Sequence, residues 1–451
     1  MADNFEHRRI VLLLDGVSED GARLANSLIQ AGYEIDVVNL QNPGCMDRDV
    51  LSVPEYILGY KKEKRRPLYY NEVKIPQDWT LHYGNREKGA ITYLQEKKGE
   101  IHYYDCEKKF LVASVDWLDA SGNVRMTEHY DYSGRMVAKT IYDGDGKAVS
   151  KSWYDENHRE GLVEQYEPGI IHYFLDGENR FFESFTAALS FHLTKYRGMV
   201  ERIFINSLSV PFYFLRQLEG FADDNVLFWQ EEAREDIPGN MRQILEGQTN
   251  IGRICVQYPD AYQRFLELGI REGMVQKLGF IYEAEKENKG NKEALICTNS
   301  DQLAGITEFV ESLPEMHFHI AAITSMSERL MNLGTYPNVT LYPGIRREEL
   351  NQLFIRCDYY LDINYGKEIA DAVETAFLHN LLILGFLDTV HNRRYVADEN
   401  LYGQEERERF LLEFRQIVNH TEERKMRLMR QQNKVSMESS STYHACPDNK
   451  S

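Results

Sequence analysis

Four aspartates, Asp119, Asp131, Asp143 and Asp155, recur every 12 residues, preceded by Leu118, Tyr130, Tyr142 and Tyr154 and followed three positions on by Gly122, Gly134, Gly146 and His158. Between them run segments of alternating polarity such as Met136-Val137-Ala138-Lys139-Thr140-Ile141. An aspartate that caps its own turn and a glycine that accepts positive φ are what successive hairpins require. The period therefore predicts an antiparallel β-meander. Weaker copies, Ile101 to Asp105 and Ile170 to Phe174, extend it at both ends. A lone meander has two faces and two edges, so it either offers a surface to a partner or packs one face on a neighbouring domain and leaves the other in solvent.

The flanks read differently. Ile10-Val11-Leu12-Leu13-Leu14 is a buried strand, Glu19 to Ala31 a helix with Leu24, Leu28 and Ala31 on one face, and Tyr33 to Leu40 a second strand. Gly16 and Gly21 flank the first turn, and a tight strand-to-helix connection accounts for them without a bound phosphate. After the meander, Phe185 to Tyr196 is helical, followed by strands Arg202 to Asn206, Val226 to Trp229 and Arg253 to Val256, with a helix over Asn240 to Glu246. Residues 9–55 hold too few strands to stand alone, so the meander is expected as an insert in a Rossmann-like domain. Lys286 to Lys292 is polar and glycine-containing, an expected hinge. A second α/β run starts at Ala294 to Cys297 and ends in Asp358 to Gly385. There a strand, a loop, a helix over Asp371 to His379 and a second apolar run form a βαβ unit, whose ligand should sit beyond the carboxyl ends of the strands. Glu405 to Gln432 is expected as one long helix.

The predicted fold is α/β, two Rossmann-like domains with an inserted antiparallel meander. The expected divisions are 1–60 with 176–285, the insert 61–175, the second domain 286–432, and a tail, 433–451, too polar to pack.

A formal charge of −19 argues against a nucleic-acid partner. The six cysteines include no C-x-x-C pair, no apolar segment approaches the roughly 20 residues needed to span a bilayer, and the amino terminus lacks a signal-peptide core. The expectation is a cytoplasmic chain with free thiols. Lys61, Lys62, Lys64, Arg65 and Arg66 form one dense basic run, which reads either as a solvated linker or as a contact for anionic lipid or an acidic partner. The acidic run Glu231 to Asp236 reads as solvent-facing charge. His317 and His319 would share one side of a strand, but no third ligand is evident, so no metal site is expected.

The unit Asp358 to Gly385 resembles the last βαβ of retaining nucleotide-sugar glycosyltransferases with two Rossmann-like domains, which carry two glutamates separated by seven residues. Glu374 matches the second, the first falls on Gly366, and Glu368 lies two residues out of register. In those enzymes the first acid sits by the donor's sugar and the second by its ribose. Active relatives also follow the first strand of the second domain with Gly-Arg and a nearby Lys, cations that a diphosphate leaving group needs. Here the segment reads Thr298-Asn299-Ser300-Asp301-Gln302-Leu303-Ala304-Gly305.

Over residues 9–432 the chain resembles the non-catalytic stabilising subunit of the O-glycosyltransferase in the accessory Sec system, which modifies serine-rich repeat adhesins. That resemblance implies a glycosyltransferase architecture without catalysis or cofactor, with Asn299, Gly366, Glu368 and Glu374 as a remnant donor pocket. It also implies pairing through the meander with a catalytic paralogue that adds N-acetylglucosamine to Ser and Thr, two copies of each, at the inner face of the plasma membrane. Two alternatives stay open: a retaining glycosyltransferase in which Glu368 replaces the lost acid, and a membrane adaptor using Lys61 to Arg66.

Overall fold

The computed structural model describes residues 9–41, 50–61, 66–104, 110–221 and 224–443. Two compact units emerge, one built from Met1–Val256 and Arg264–Gln276, the other from Gln257–Gln263 and Lys277–Ala445.

In the first unit a sheet carries strands in the order Gln276–Lys277, Ile251–Val256, Asn225–Trp229, Val200–Ile205, Arg9–Leu14, Ile35–Asn39 and Leu51–Ser52. The pairings from Ile251–Val256 through Leu51–Ser52 are parallel. Its strands are apolar on both faces, as a sheet covered on both sides requires. The chain leaves this sheet after Ser52 and returns to it at Val200. In between lies a second sheet of ten antiparallel strands from Thr80 to Phe182, the meander that the repeat predicts.

Each repeat aspartate works as its spacing implies. Asp131 Oδ1 accepts from the Ser133 and Arg135 amides at 2.8 and 2.9 Å, and Asp119, Asp143 and Asp155 repeat the pattern. Gly122, Gly134 and Gly146 take φ of +85°, +75° and +78°, and His158 fills the fourth such position at +58°.

The meander is covered half on one face and half on the other. Directly paired Ala138, Trp153, Leu162 and Tyr173 share one face, and there Trp153 meets Phe185 and Tyr173 meets Phe191 edge-on, both from the helix Phe185–Lys195. Ile101 and Val115 point the opposite way and form a core with Val73, backed by Leu68, Tyr70, Ile75 and Trp79 of the preceding segment. The remainder of the Trp153 face is polar: His102 and Thr127 both bond Asp116, at 2.7 and 2.6 Å, and His129 bonds Thr140.

The second unit has six parallel strands in the order Val339–Pro343, His317–Ala322, Glu293–Cys297, Tyr359–Asp362, Leu382–Phe386, Leu401–Tyr402. The order reverses direction between Glu293–Cys297 and Tyr359–Asp362, the switch point at which doubly wound sheets bind ligands. Among the described residues no helix is long and apolar enough to cross a membrane.

Two expectations, the long helix and the unpacked tail, need correction. The long helix over 405–432 is two helices, Arg407–Asn419 and Thr421–Lys434, broken at His420, whose ψ of 106° is extended. The break lets Phe410, Phe414 and Ile417 from one helix and Leu428 from the other join the same core. Residues 286–292, expected as a hinge between domains, are anchored to the second unit: the fully buried Asp358 carboxylate accepts from Lys286 Nζ at 2.6 Å and from the Lys289 and Asn291 amides. The tail expected over 433–451 packs as far as Tyr443. Val435 and Tyr443 are buried, Tyr443 donates its hydroxyl to the Gly279 carbonyl, and the Glu438 amide bonds Phe280 O. Two well-placed apolar residues outweigh the polar average there. Residues 444–451 lie outside the described residues.

The glycine turns are not equivalent. A Cβ on Gly146 meets nothing within 4 Å, whereas one on Gly134 comes 2.9 Å from Leu68 N and 3.0 Å from Arg66 O. Gly146→Ala is expected to cost about 1 kcal/mol for its left-handed backbone. Gly134→Ala adds an overpacking cost of about 1–3 kcal/mol. Urea denaturation of the two variants side by side checks the ranking.

Candidate functional site

The loops leaving the switch point of the second unit are stitched to each other. Thr298 Oγ1 lies 2.7 Å from Ser300 O and 2.9 Å from Asn364 Oδ1, and the Gly366 amide donates to the same Asn364 oxygen at 2.9 Å. Backbone bonds Ala304 N to Ile363 O and Tyr365 N to Gln302 O complete the seam. Beside it opens a cavity of about 500 Å³ lined by Thr298, Asn299, Ser300, Asp301, Gly366 and Lys367 on one side and Thr324, Ser325 and Ser327 on the other.

A histidine holds the floor of this loop. His391 donates its backbone amide to Asp362 Oδ2 at 2.7 Å, its Nδ1 lies 2.6 Å from Asp362 Oδ1, and its Nε2 reaches Gly366 O at 2.8 Å. Asp362 is buried at the end of its strand. Its carboxylate pushes the imidazole pKa up to about 9, so the ring carries a proton and both nitrogens donate.

The four predicted pocket positions part company here. Asn299 and Gly366 share a wall. A Cβ built on Gly366 would fall 1.9 Å from Asn299 Oδ1, 2.9 Å from Ser300 Cβ and 3.0 Å from Asn364 Oδ1. A side chain at the position where the resemblance expects a glutamate would therefore have to displace the exposed Asn299 side chain and press on Ser300 and Asn364. Glu368 turns to the helix Ala372–Leu378, accepting from the Val373 amide at 2.9 Å, a helix-start contact that satisfies an orphan donor. Desolvation raises its pKa despite that bond. Glu374 is half-buried in the first turn of the same helix.

Sequence reasoning missed several residues that line or brace this cavity. Thr324, Ser325 and Ser327 follow the strand His317–Ala322, and their place beyond a carboxyl strand end next to the switch point was the available signal. Lys367 brings to the rim a cation that the segment 298–305 lacks. No sequence signal links His391 to Asp362, 29 residues away.

The basic run divides. The Arg66 guanidinium pairs with Glu72, and Lys61 is exposed, its amide bonding Glu156 at 3.2 Å. Lys62, Lys64 and Arg65 lie outside the described residues. The flanking Tyr60 is buried under the Arg135 guanidinium, 4.4 Å from its ring centre. The acidic stretch 231–236 is exposed throughout, and Arg234 pairs with Glu231 at 2.7 Å, as solvated charge does.

Profiles of three families match the chain: the GtfB middle domain over residues 79–183, the GtfB third domain over 186–268, and the GftB/GlyA-F C-terminal domain over 294–431. The UDP-N-acetylglucosamine–peptide N-acetylglucosaminyltransferase stabilizing protein GtfB of Streptococcus agalactiae is 33% identical over 395 residues, 87% of this chain and 89% of that one. A chain in the crystal structure of a GtfA/B complex bound to UDP and GlcNAc superposes with a TM-score of 0.74 at 32% identity, covering 96% of this chain and 98% of that one. The pneumococcal O-GlcNAc transferase GtfA shares the fold at 12% identity, with a TM-score of 0.60 over 98% of this chain and 99% of that one.

Two predictions follow from the cavity. Gly366→Glu is expected to lose about 1–3 kcal/mol through overpacking against Asn299 and Ser300, seen as a lower urea midpoint, and to gain no turnover of UDP-sugars. The His391 contribution has a defined sign. Because its folded pKa of about 9 lies above the ordinary 6.5, its stabilisation is complete below pH ~6.5 and is lost as pH rises through ~9. The stability difference between wild type and His391→Gln should therefore shrink steadily over that window in pH-resolved urea titrations.

Proposed function

Because the chain belongs to the family of UDP-N-acetylglucosamine–peptide N-acetylglucosaminyltransferase stabilizing proteins, we propose that it is the non-catalytic partner of a protein O-GlcNAc transferase of its own fold. In this reading it stabilises the catalytic subunit and holds a Ser/Thr-rich acceptor, a serine-rich repeat adhesin, while sugars are added before export by the accessory Sec system. The observation that carries the non-catalytic part is steric. Where a retaining glycosyltransferase needs an acid beside the donor sugar, this chain has Gly366, with Asn299 Oδ1 1.9 Å from where a Cβ would stand.

The alternative, catalysis by Glu368, fits the geometry less well, since that carboxylate is engaged by the Val373 amide. Lys367 is the cation at the rim, and Asp301 on the same wall works against its holding an anionic group. Asn299, Ser300, Thr324 and Ser325 are instead suited to bonding the hydroxyl and amide groups of a sugar or of an unfolded peptide. The antiparallel sheet is the surface we assign to the catalytic partner, in a complex with two copies of each subunit. A disordered acceptor gains little per contact, so a second binding surface raises its concentration at the partner's site.

The assembly is placed in the cytoplasm, at the inner face of the membrane. The Arg66 pair with Glu72 leaves fewer cations of the 61–66 run to meet lipid directly. Co-expression is the test. The catalytic subunit should be more soluble and more active with this chain than without it, and the purified chain alone should neither hydrolyse UDP-GlcNAc nor transfer its sugar. Turnover by the chain alone would overturn the reading.

A further inference from the structure

We propose that Glu293, His319 and Cys357, at the amino-terminal side of the second unit's sheet, form a binding site for a thiophilic divalent cation, Zn²⁺ foremost. Glu293 opens its strand, His319 lies on the neighbouring parallel strand opposite Leu295, and Cys357 ends the helix Arg347–Arg356. One ligand atom from each lies within 4.8 Å of the other two. Tetrahedral zinc with bonds of 2.0–2.3 Å spaces its ligand atoms roughly 3.3–3.8 Å apart, so the three atoms must draw somewhat closer together to bind it. Thiolate, imidazole and carboxylate together form a donor set suited to zinc, with a fourth position open.

The surroundings support ligation. His319 is buried, with a side chain 1% exposed, while Glu293 is 24% and Arg356 56% exposed, so an ion has a path in past the carboxylate. The two nitrogens of His319 have separate partners: Nδ1 lies 3.0 Å from the Tyr342 hydroxyl and Nε2 3.2 Å from Glu293 Oε2. A phenol can donate or accept. Tyr342 therefore satisfies Nδ1 in either tautomer, and the proton can leave Nε2 for Nδ1 when a cation takes the Nε2 lone pair. A ring fixed through its far nitrogen in this way is the usual outer support of a metal-bound histidine.

Glu293 is divided in the same manner. Arg356 holds both oxygens, with Nη2 2.9 Å from Oε1. A cation at Oε2 displaces only the Nε contact and leaves the Oε1 bond. Binding also requires Cys357 to release its thiol proton to solvent, giving a site of M²⁺ with two anionic ligands and no net charge. His317 is not a ligand, because its Nε2 bonds Thr340 Oγ1 at 2.7 Å. The His-x-His pair thus contributes one nitrogen, and the remaining ligands come from segments 26 residues before and 38 after His319 in the chain.

The full chain, stripped of metal, is titrated with Co²⁺ and Zn²⁺. Wild type should take up one equivalent of Co²⁺ with a thiolate-to-cobalt charge-transfer band, and Zn²⁺ should raise its Tm. Cys357→Ala and His319→Gln should each abolish the band and weaken Zn²⁺ more than the 10–100-fold that losing an outer partner costs, and Tyr342→Phe should weaken it within that range. Arg356→Gln, which removes the competing cation, should tighten binding about 10-fold; a merely structural cluster predicts no such gain. If either buried-ligand variant fails to fold, Glu293→Gln at the rim serves instead, with loss of at least about 10-fold expected. Absence of the charge-transfer band, or Zn²⁺ affinity unchanged in the variants that fold, would overturn the proposal.

Discussion

At the switch point of the second unit Asn299 Oδ1 stands over Gly366, 1.9 Å from where a Cβ would lie. Two loops at a topological switch point normally stand apart to admit a nucleotide and its sugar. Here Thr298, Asn364 and Gly366 bond across the seam, and the Asp362–His391 pair fixes the carbonyl of the same glycine from below. Several backbone groups at the crossing are thus bonded within the chain, and small polar side chains line the rim. A carboxylate at position 366 would require the exposed Asn299 side chain to move.

The second unit needs a source of stability that does not depend on a bound ligand. In the second unit that stability is ordinary packing, centred on Phe309, Tyr359, Phe386, Phe410 and Phe414, joined by buried charge at Asp358 and Asp362. Both aspartates flank the strand Tyr359–Asp362 and both are fully bonded, one by the loop 286–291 and one by His391. The central strand is thus clamped at each end by carboxylates whose partners lie in other segments. Removing either set would leave an uncompensated buried charge, the costly case for ion pairs in an interior.

Much of this was legible in the sequence. The meander could be read because hairpin turns are local: Asp131, Gly134 and the alternating residues between turns carry their own instructions, and strand pairing follows from adjacency. The parallel sheets were legible as apolar runs, and the vacancy at position 366 as a count back from Glu374. What occupies that vacancy was not, since Asn299 reaches Gly366 only after two loops 67 residues apart converge. Composition misjudged residues 433–443, where two buried side chains decide the packing, and periodicity ran through His420 because the apolar spacing on either side of the break stays in phase. Asp358 was hidden for a related reason: a polar residue opening an apolar strand gives no hint that it collects a distant lysine and two amides.

The alternation of turns in the meander has a further consequence. Successive hairpins reverse direction, so Gly122 and Gly146 lie at one margin of the sheet with open space around them, while Gly134 lies at the other, close against the segment that begins at Arg66. The strand that enters from that segment and the one that leads to the helix Phe185–Lys195 are tied to fixed margins. A single added hairpin unit would deliver the chain to the opposite margin, whereas a pair would enlarge the surface and leave both attachments at their margins.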